Sequence, residues 1–233
     1  MRSIIAIVAL ISCSVFTNLT YAQMAPAEQS TTQYVTNKPI TPYPVNERIS
    51  GSPYEDEDFA NGKIMKNGKI LATNVALRFN ALKDEMEVKS SVEDHNRTGR
   101  VMVKSPDVYA KIMNKTFVYL PKQEGLDKAG YFVVVYEGDK YDLLKKINKE
   151  YIDGAESMTG MTRDIPAMYK QKEVNYLLNK QTSKIAAFPN SRSGRLNLFG
   201  QKKKEMKRYA AEKKININKK HALVKMVKYF DTL

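Results

Sequence analysis

Continuous and alternating apolar stretches in the middle of the chain predict a β-rich domain. Residues 131–136 are apolar on both faces, which is typical of a strand that is covered on both sides within a sheet. Gly138-Asp139 then predicts a two-residue turn, because glycine accepts the positive φ that such turns need, and residues 141–144 return as a second strand. With a turn of this length, Tyr136 pairs with Tyr141.

The dipeptide Asn67-Gly68 is a strong short-range hairpin signal. It separates residues 62–66 from residues 69–72 and predicts that Lys66 pairs with Lys69. The same kind of pattern predicts further short strands at residues 75–79, 85–89, 101–104, 116–120, 174–178 and 184–188.

The segments between these strands are interpreted as loops or short turns. Residues 107–113 are consistent with a helical turn, and residues 148–171 predict a long loop that is mobile or functional. In the strand at residues 85–89, Glu85 and Glu87 alternate with apolar positions, which predicts a half-buried strand with a wet, acidic outer face.

The end of the chain has the helical period instead. Residues 201–213 and 219–231 predict two short amphipathic helices that form a helical hairpin, and Asn218 is a plausible N-cap for the second. The apolar positions at helical spacing are Met206, Tyr209 and Ala210 in the first stretch and Leu223, Met226, Val227 and Phe230 in the second.

The start of the chain has the pattern of a secretory signal peptide. Arg2 precedes a short apolar run at residues 4–11, and Thr20-Tyr21-Ala22 supplies small residues for cleavage after Ala22. Leu10–Cys13 offers a rival interpretation, because it resembles the lipobox of bacterial lipoproteins. No second apolar run approaches the roughly 18 residues that a spanning helix needs, so we do not expect a membrane-spanning protein.

Residues 23–50 follow the predicted cleavage site and are rich in Pro, Thr, Gln and Ser. Few of them are large and apolar, so burial would not offset the entropy of ordering them, and we predict a flexible leader. Cys13 is the sole cysteine, so cleavage after Ala22 would leave no thiol for disulfides, catalysis or zinc.

Positive charge is concentrated at the C-terminus. The formal net charge is +13, and residues 195–233 hold twelve Lys/Arg against three Asp/Glu. Such a segment predicts contact with anionic lipid, lipopolysaccharide phosphate or an acidic partner. The alternative is that the helices dock on the sheet and the lysines only solvate their outer face. Because lysine dominates, bidentate readout of nucleic acid is not expected. The candidate contacts are Lys202, Lys203, Lys204, Lys207, Arg208, Lys213, Lys214, Lys219, Lys220, Lys225 and Lys228.

Catalytic and metal-binding constellations are weak in this sequence. His95 and His221 are far apart and lack a recognisable Ser or Asp framework, so a hydrolytic triad or a His-rich metal site is not expected. The acidic run Glu55–Asp58 begins a calcium-loop pattern that Ala60 breaks, which favours a solvated acidic turn. We therefore predict neither an enzyme nor a bound cofactor.

Several stretches together resemble a group of uncharacterised exported β-rich proteins from flavobacteria-like bacteria. The matching residues are Gly51–Tyr54 with Phe59, Gly68-Lys69, Leu77–Asn80 with Asp84–Val88, Leu198–Gly200, Lys203–Glu205, Val227, Tyr229-Phe230 and Leu233. The resemblance covers most of residues 51–233 and implies export and a β-then-helix plan. It implies no activity, because none is assigned to the group.

Together these patterns predict an α+β fold. We expect a mainly antiparallel sheet of about eight short strands, formed by residues 51–190, with a basic C-terminal helical segment at residues 191–233 packed on it. The predicted function is that of an exported, non-catalytic binding or scaffold protein that acts through surface contacts. We expect it in the cell envelope, including the periplasm, or as a secreted protein. The alternative is a carrier of a small, lipid-like apolar ligand, with its pocket beneath the loop at residues 148–171.

Overall fold

A computed structural model describes residues 33–43, 48–93, 99–156 and 163–233. The predicted signal peptide, the lipobox at Cys13, and His95 lie outside these residues. The strands are β1 (Val35–Pro39), β2 (Ile49–Ser50), β3 (Ala60–Lys66), β4 (Lys69–Asn80), β5 (Glu85–Lys89), β6 (Arg100–Met102), β7 (Val108–Ile112), β8 (Lys115–Leu120), β9 (Gly130–Tyr136), β10 (Tyr141–Ile152), β11 (Ala167–Asn179) and β12 (Ile185–Ala187). The helices are α1 (Arg192–Asn197), α2 (Lys203–Glu212) and α3 (Lys220–Asp231), and Gly200–Lys202 forms a 3₁₀ turn before α2.

The described strands form one sheet in the order β1-β6-β5-β4-β3-β7-β8-β9-β10-β11-β12, with β2 added beside β11. The sheet is mixed, because β2 runs parallel to β11 while the other pairs are antiparallel. The prediction of an α+β fold with about eight strands is therefore wrong, since the described chain is mostly β, with twelve strands and three short helices.

The strands that the sequence failed to indicate are short or largely exposed. Strands β1 and β2 fall within residues 23–50, the predicted leader, and pair with β6 and β11. Residues 148–152 and 167–171 extend β10 and β11 into the predicted loop, and residues 108–112 form a strand in place of the predicted helical turn. The segments at residues 35–39, 49–50, 148–152 and 167–171 are mostly polar or solvated, so they lack the apolar run that identifies a buried strand. Residues 108–112 are different, because Val108, Ala110 and Ile112 alternate as in a half-buried strand and are buried.

The sheet curls so that distant strands meet. Six inter-strand steps separate β6 from β9, which would place them about 29 Å apart in a flat sheet at about 4.8 Å per step. Yet the Tyr131 hydroxyl of β9 donates to the Val103 carbonyl, just after β6, at 3.1 Å. Likewise the Lys149 N–H of β10 donates to the Ala81 carbonyl, just after β4, at 3.0 Å.

The curled sheet encloses the largest apolar cluster. Its fully buried members include Ile64, Leu77, Met86, Phe117 and Tyr131, each no more than 1% exposed. A second cluster covers the opposite face of β9 to β12 and joins Leu126, Phe132, Leu144 and Ile185. Strand β9 lies within the sheet as predicted, but the predicted cover on both faces holds only for residues 131–133, since Val135 is 38% exposed.

The three helices form a layer on the sheet, in which α3 packs against β9 and β10. Their apolar sides join residues of the sheet in a third cluster, whose buried members are Leu143, Leu177, Phe188, Leu196, Phe199, Met206, Ala210, Ile217, Leu223, Met226, Val227 and Phe230. Phe230 lies 4.3 Å from the Tyr141 ring and 4.9 Å from the Phe199 ring, measured between centroids. The apolar stripe of α3 is thus the side that docks. Lys219 occupies the N-cap position in place of the predicted Asn218, without a side-chain cap.

Of the two hairpins predicted in most detail, one has the expected register only beside its turn, because a register shift pairs Ile64 with Ala72 rather than with Leu71. Asn67 and Gly68 have φ of 49° and 78°, and Lys66 pairs with Lys69 as predicted. In the other hairpin, Tyr136 pairs with Leu143 rather than with Tyr141, so the connection is longer than the expected two-residue turn.

Asp231 at the end of α3 accounts for the longer connection. Its carboxylate accepts hydrogen bonds from the backbone N–H groups of Asp139, Lys140 and Tyr141 at 2.9, 2.8 and 2.8 Å. A connection with three donors turned toward the carboxylate cannot also close as a two-residue turn.

Candidate anion-binding surface and clefts

The basic surface is defined here as the eleven lysine and arginine side chains that the sequence singles out in the C-terminal segment. All of them are exposed: Lys202, Lys203, Lys204, Lys207, Arg208, Lys213, Lys214, Lys219, Lys220, Lys225 and Lys228. The structure therefore brings them onto one helical layer, on the solvent side of α2, α3 and their connection.

Helical geometry keeps these charges away from the sheet. In α2, Met206 and Ala210 are 0% and 3% exposed, while Lys207 and Arg208 lie on the remaining part of the helix circumference. In α3, Met226 and Val227 are buried, and His221, Lys225 and Lys228 form an exposed stripe at i, i+4 and i+7. Docking of one helix side thus orients the cationic side outward.

Four cations of the basic surface have partners in the described structure. Lys202 and Arg208 face Glu205 and Glu212 at 3.4 and 3.7 Å, within α2 and its 3₁₀ turn. Lys220 reaches Glu173 of β11 at 2.9 Å, and this hydrogen bond lowers the pKa of that carboxyl. Lys228 lies 5.7 Å from the Tyr136 ring centroid. Such exposed contacts contribute little stability.

Arg195 contributes to the charge of the C-terminal segment without belonging to the basic surface. Its guanidinium donates from Nε to the Pro189 carbonyl at 2.8 Å and from Nη1 to the Ile217 carbonyl at 2.6 Å. The residue is only 8% exposed. Arg195 therefore joins α1 to the segment before α3, which leaves Arg208 as the single arginine of the basic surface.

A buried ion pair replaces the wet acidic face predicted for β5. The Glu87 side chain is 3% exposed and meets Arg78 of β4 at 2.8 Å. Asn80 also donates to Glu87, at 3.1 Å. Arg78 in turn lies between the rings of Tyr54 and Phe59, at 3.6 and 4.2 Å from their centroids. Burial, with the nearby Glu87 charge, raises the pKa of Tyr54 to about 12.

Another partly buried pair joins the turn after β4 to β10. Lys146 contacts the Asp84 carboxylate and donates to the Tyr131 carbonyl at 3.0 Å. Burial lowers the pKa of Lys146 in spite of the facing carboxylate. A Cβ on Gly130 would lie 2.3 Å from both Asp84 Oδ2 and Lys146 Nζ, so the absence of a side chain there makes room for this pair.

The acidic run at residues 55–58 is partly neutralised. Lys115 of β8 binds Glu55 at 2.8 Å and Asp56 at 2.9 Å, and the Glu55 side chain is only 11% exposed. Within the described residues, no group of three or more His, Cys, Asp or Glu side chains is placed to hold a metal ion. Glu55 and Asp56 therefore form an ion-paired segment, which the sequence interpretation as a solvated acidic turn did not anticipate.

Three clefts in the described structure differ in their chemistry. The first, about 590 Å³, lies between the β11–β12 turn and the segment linking α1 to α2. The second, about 810 Å³, lies beside the Asp84–Lys146 pair, and the third, about 380 Å³, is lined by Tyr43, Tyr54 and Tyr169. The pocket was predicted beneath a loop at residues 148–171, but the structure does not form such a loop, because both ends of that segment belong to strands β10 and β11.

Comparison of the chain with protein-family models, with curated proteins and with solved structures finds no match. The resemblance to exported proteins of flavobacteria-like bacteria therefore stays a prediction. In the parts of the chain that the structure describes, no helix combines the length and the apolar composition that crossing a membrane requires.

Proposed function

We propose that this protein is an exported, non-catalytic binding protein that holds a polyanionic surface through its basic surface. The observation that carries the proposal is the exposure of all eleven predicted contact residues on helices whose apolar sides are buried. The cations are held on an ordered support, so little further ordering of the backbone accompanies binding. Lysines give a diffuse field of point charges, which suits lipid phosphate better than base-specific recognition.

Binding by this route is expected to be electrostatic. The apolar residues of α2 and α3 are already used in docking against the sheet, so they are not available to insert into a bilayer. Affinity should therefore depend on anionic lipid and fall as salt rises, because the Debye length shrinks from about 10 Å at 0.1 M to about 3 Å at 1 M. Export by a signal peptide cleaved after Ala22 would place the basic surface in contact with the bacterial envelope.

Vesicle co-sedimentation tests the proposal. We expect the protein to bind vesicles of phosphatidylcholine with phosphatidylglycerol and not vesicles of phosphatidylcholine alone. Charge reversal of Lys203, Lys204 and Lys207 to Glu should weaken binding by at least about 3 kcal/mol, roughly 150-fold, at about 1 kcal/mol per lysine near the surface. These residues are exposed, so their replacement should leave the fold intact.

A matched control distinguishes a local surface from net charge. Lys63, Lys66 and Lys69 are equally exposed on the β3–β4 hairpin, and their reversal to Glu changes the net charge by the same amount. We expect the control variant to retain most of the vesicle binding. Equal losses in both variants would show that only the total charge matters, and binding of the native protein to neutral vesicles alone would contradict the proposal.

A further inference from the structure

The cleft of about 590 Å³ has the dimensions of a small-molecule site, which in proteins commonly spans roughly 300–1,000 Å³. It lies where the end of β11, the start of β12, the α1–α2 link and α3 come together. The connection before β10 also borders the cleft, through Lys140. This connection is joined to the β11–β12 turn, because the Lys180 N–H donates to the Lys140 carbonyl at 2.9 Å. Residues far apart in sequence therefore line one opening.

The floor of this cleft is apolar and firmly packed. Leu177 and Ile185 of the sheet are 6% and 2% exposed, and Phe199 and Phe230 of the helical layer are 2% and 7% exposed. The two phenylalanine rings contact each other edge to face, at 4.9 Å between centroids. Above this packed base, the half-buried Tyr141, Leu198 and Leu233 present the apolar surface that a hydrocarbon chain would cover, and its burial is favourable.

The charged side chains lining the cleft are lysines: Lys140, Lys184 and Lys202. Lys184 also pairs with Glu124 at 2.9 Å, but both side chains are more than half exposed, at 60% and 71%. Such a pair is weak and can exchange for a ligand. Asn179, Gln181 and Gln201 add amide donors at the rim. The rim therefore favours an anion.

The clefts of about 810 and 380 Å³ lack this combination, and a further cleft lined by Lys63 and Lys111 is only about 240 Å³. The cleft of about 810 Å³ carries Asp84 and Asp127 as well as lysines, and the cleft of about 380 Å³ carries Glu57 and Asp58 beside Arg78. The first has four lysines against two aspartates, and the second has one arginine against two carboxylates. In neither do cations alone border the cleft, and a ligand with charges of both signs would match such linings better.

We propose that the cleft of about 590 Å³ binds a long-chain carboxylate, with its hydrocarbon over the apolar floor and its carboxylate facing Lys140 and Lys184. The inference goes beyond the proposed function and does not depend on vesicle binding. It moves the lipid-like carrier site from residues 148–171 to the junction of the sheet and the helical layer.

Titration calorimetry with palmitate, below its aggregation concentration, tests the proposal on the full chain. We expect one saturable site. Replacing Lys140 and Lys184 with Gln should weaken the dissociation constant roughly five- to tenfold, since each partly exposed ion pair contributes less than an order of magnitude. Ala186→Phe, which places a ring inside the cleft, should abolish binding, and hexadecanol should bind more weakly than palmitate because it lacks the charge.

The outcomes separate this site from the basic surface. The variant with Lys203, Lys204 and Lys207 reversed to Glu should keep palmitate binding and lose vesicle binding. The Lys140→Gln, Lys184→Gln variant should keep vesicle binding and bind palmitate roughly five- to tenfold more weakly. Native-like melting of both variants is expected, because the replaced side chains are not buried. Absence of saturable palmitate binding, or binding unchanged in the Lys140→Gln, Lys184→Gln variant, would overturn the proposal whatever the vesicles show.

Discussion

Replacement of Asp231 gives the sharpest test of how the helical layer is joined to the sheet. Asp231 is the last residue of α3 and is 8% exposed. Helix-dipole reasoning alone says that a negative charge at this end is unfavourable by about 0.3–1 kcal/mol, so Asp231→Asn should stabilise the protein. The hydrogen bonds that Asp231 accepts from the β9–β10 connection argue for the opposite sign.

The expected magnitude follows from those hydrogen bonds. Three backbone N–H groups and the Tyr136 hydroxyl, at 3.2 Å, donate to the Asp231 carboxylate. A hydrogen bond to a charged group contributes about 1.5–3 kcal/mol, but water can replace part of this loss because Asp139 is exposed. We therefore expect Asp231→Ala to lower the free energy of unfolding by about 3 kcal/mol and Asp231→Asn, which keeps one carbonyl acceptor, by about half of that.

Equilibrium unfolding in urea measures the difference. Asp139→Asn is the matched control, because it removes a carboxylate from the same connection while keeping the backbone donor, and it should change the free energy of unfolding by no more than about 0.5 kcal/mol. If Asp231→Asn proves neutral or stabilising, the carboxylate does not hold the connection. The longer turn would then need another explanation.

Four further perturbations test the core, the ion pairs and the pH response. Phe230→Ala should cost about 3–5 kcal/mol by circular-dichroism melting, and a change below about 1 kcal/mol would mean that the ring is not core. Gly130→Ala should cost about 1–3 kcal/mol, since its Cβ would collide with the Asp84–Lys146 pair, and an unchanged melt would show that the pair moves freely. Glu87→Ala should cost about 3 kcal/mol by leaving the Arg78 side chain, 15% exposed, without its carboxylate, against no more than about 0.5 kcal/mol for the exposed Glu150→Ala. Burial acts to raise the pKa of Asp231, but hydrogen bonding by backbone N–H groups lowers this pKa overall. The stability that the charged Asp231 contributes is therefore present above about pH 4 and is lost as pH falls through the lowered folded pKa. Acid titration of Asp231→Asn should show a shallower loss of stability than the native chain, and parallel curves would contradict this reasoning.

Asp142, close to Asp231, should have the opposite pH dependence. Burial raises its pKa, although the Gly138 N–H that donates to it and the nearby Lys180 both act to lower it. A carboxyl group whose folded pKa is raised makes the folded state less stable as pH rises through the ordinary carboxyl range. Asp142→Asn therefore serves as the control for the acid titration, because it should remove a contribution of opposite sign.

Local sequence signals predicted those elements whose geometry depends on neighbouring residues. The Asn67-Gly68 turn has the positive φ values that its residue types favour, and its first pairing is as expected. The apolar stripe of α3 is likewise buried, because a 3.6-residue period places those side chains on one side. In each case the information lies within a dozen residues.

Other features depend on residues that are distant in the sequence. The acidic positions of β5 alternate as a solvated face would, and nothing near Glu87 shows that Arg78, covered by Tyr54 and Phe59, buries it. Lys140 and Lys184 belong to two separate turns, and pairing of β10, β11 and β12 brings both to the same cleft. No spacing in the chain indicates that these lysines share a site.

The sequence by itself determined the β-rich character, the Asn67-Gly68 hairpin, the central position of residues 131–136 and the side of α3 that is buried. Each depends on side-chain periodicity or on the φ preference of a turn residue, which act over short distances. Only the tertiary structure decided the number of strands, the curl of the sheet, the length of the β9–β10 connection and the burial of Glu87. These follow from contacts such as that of Asp231 with Tyr141, 90 residues apart, whose free energy exists only once the chain has folded.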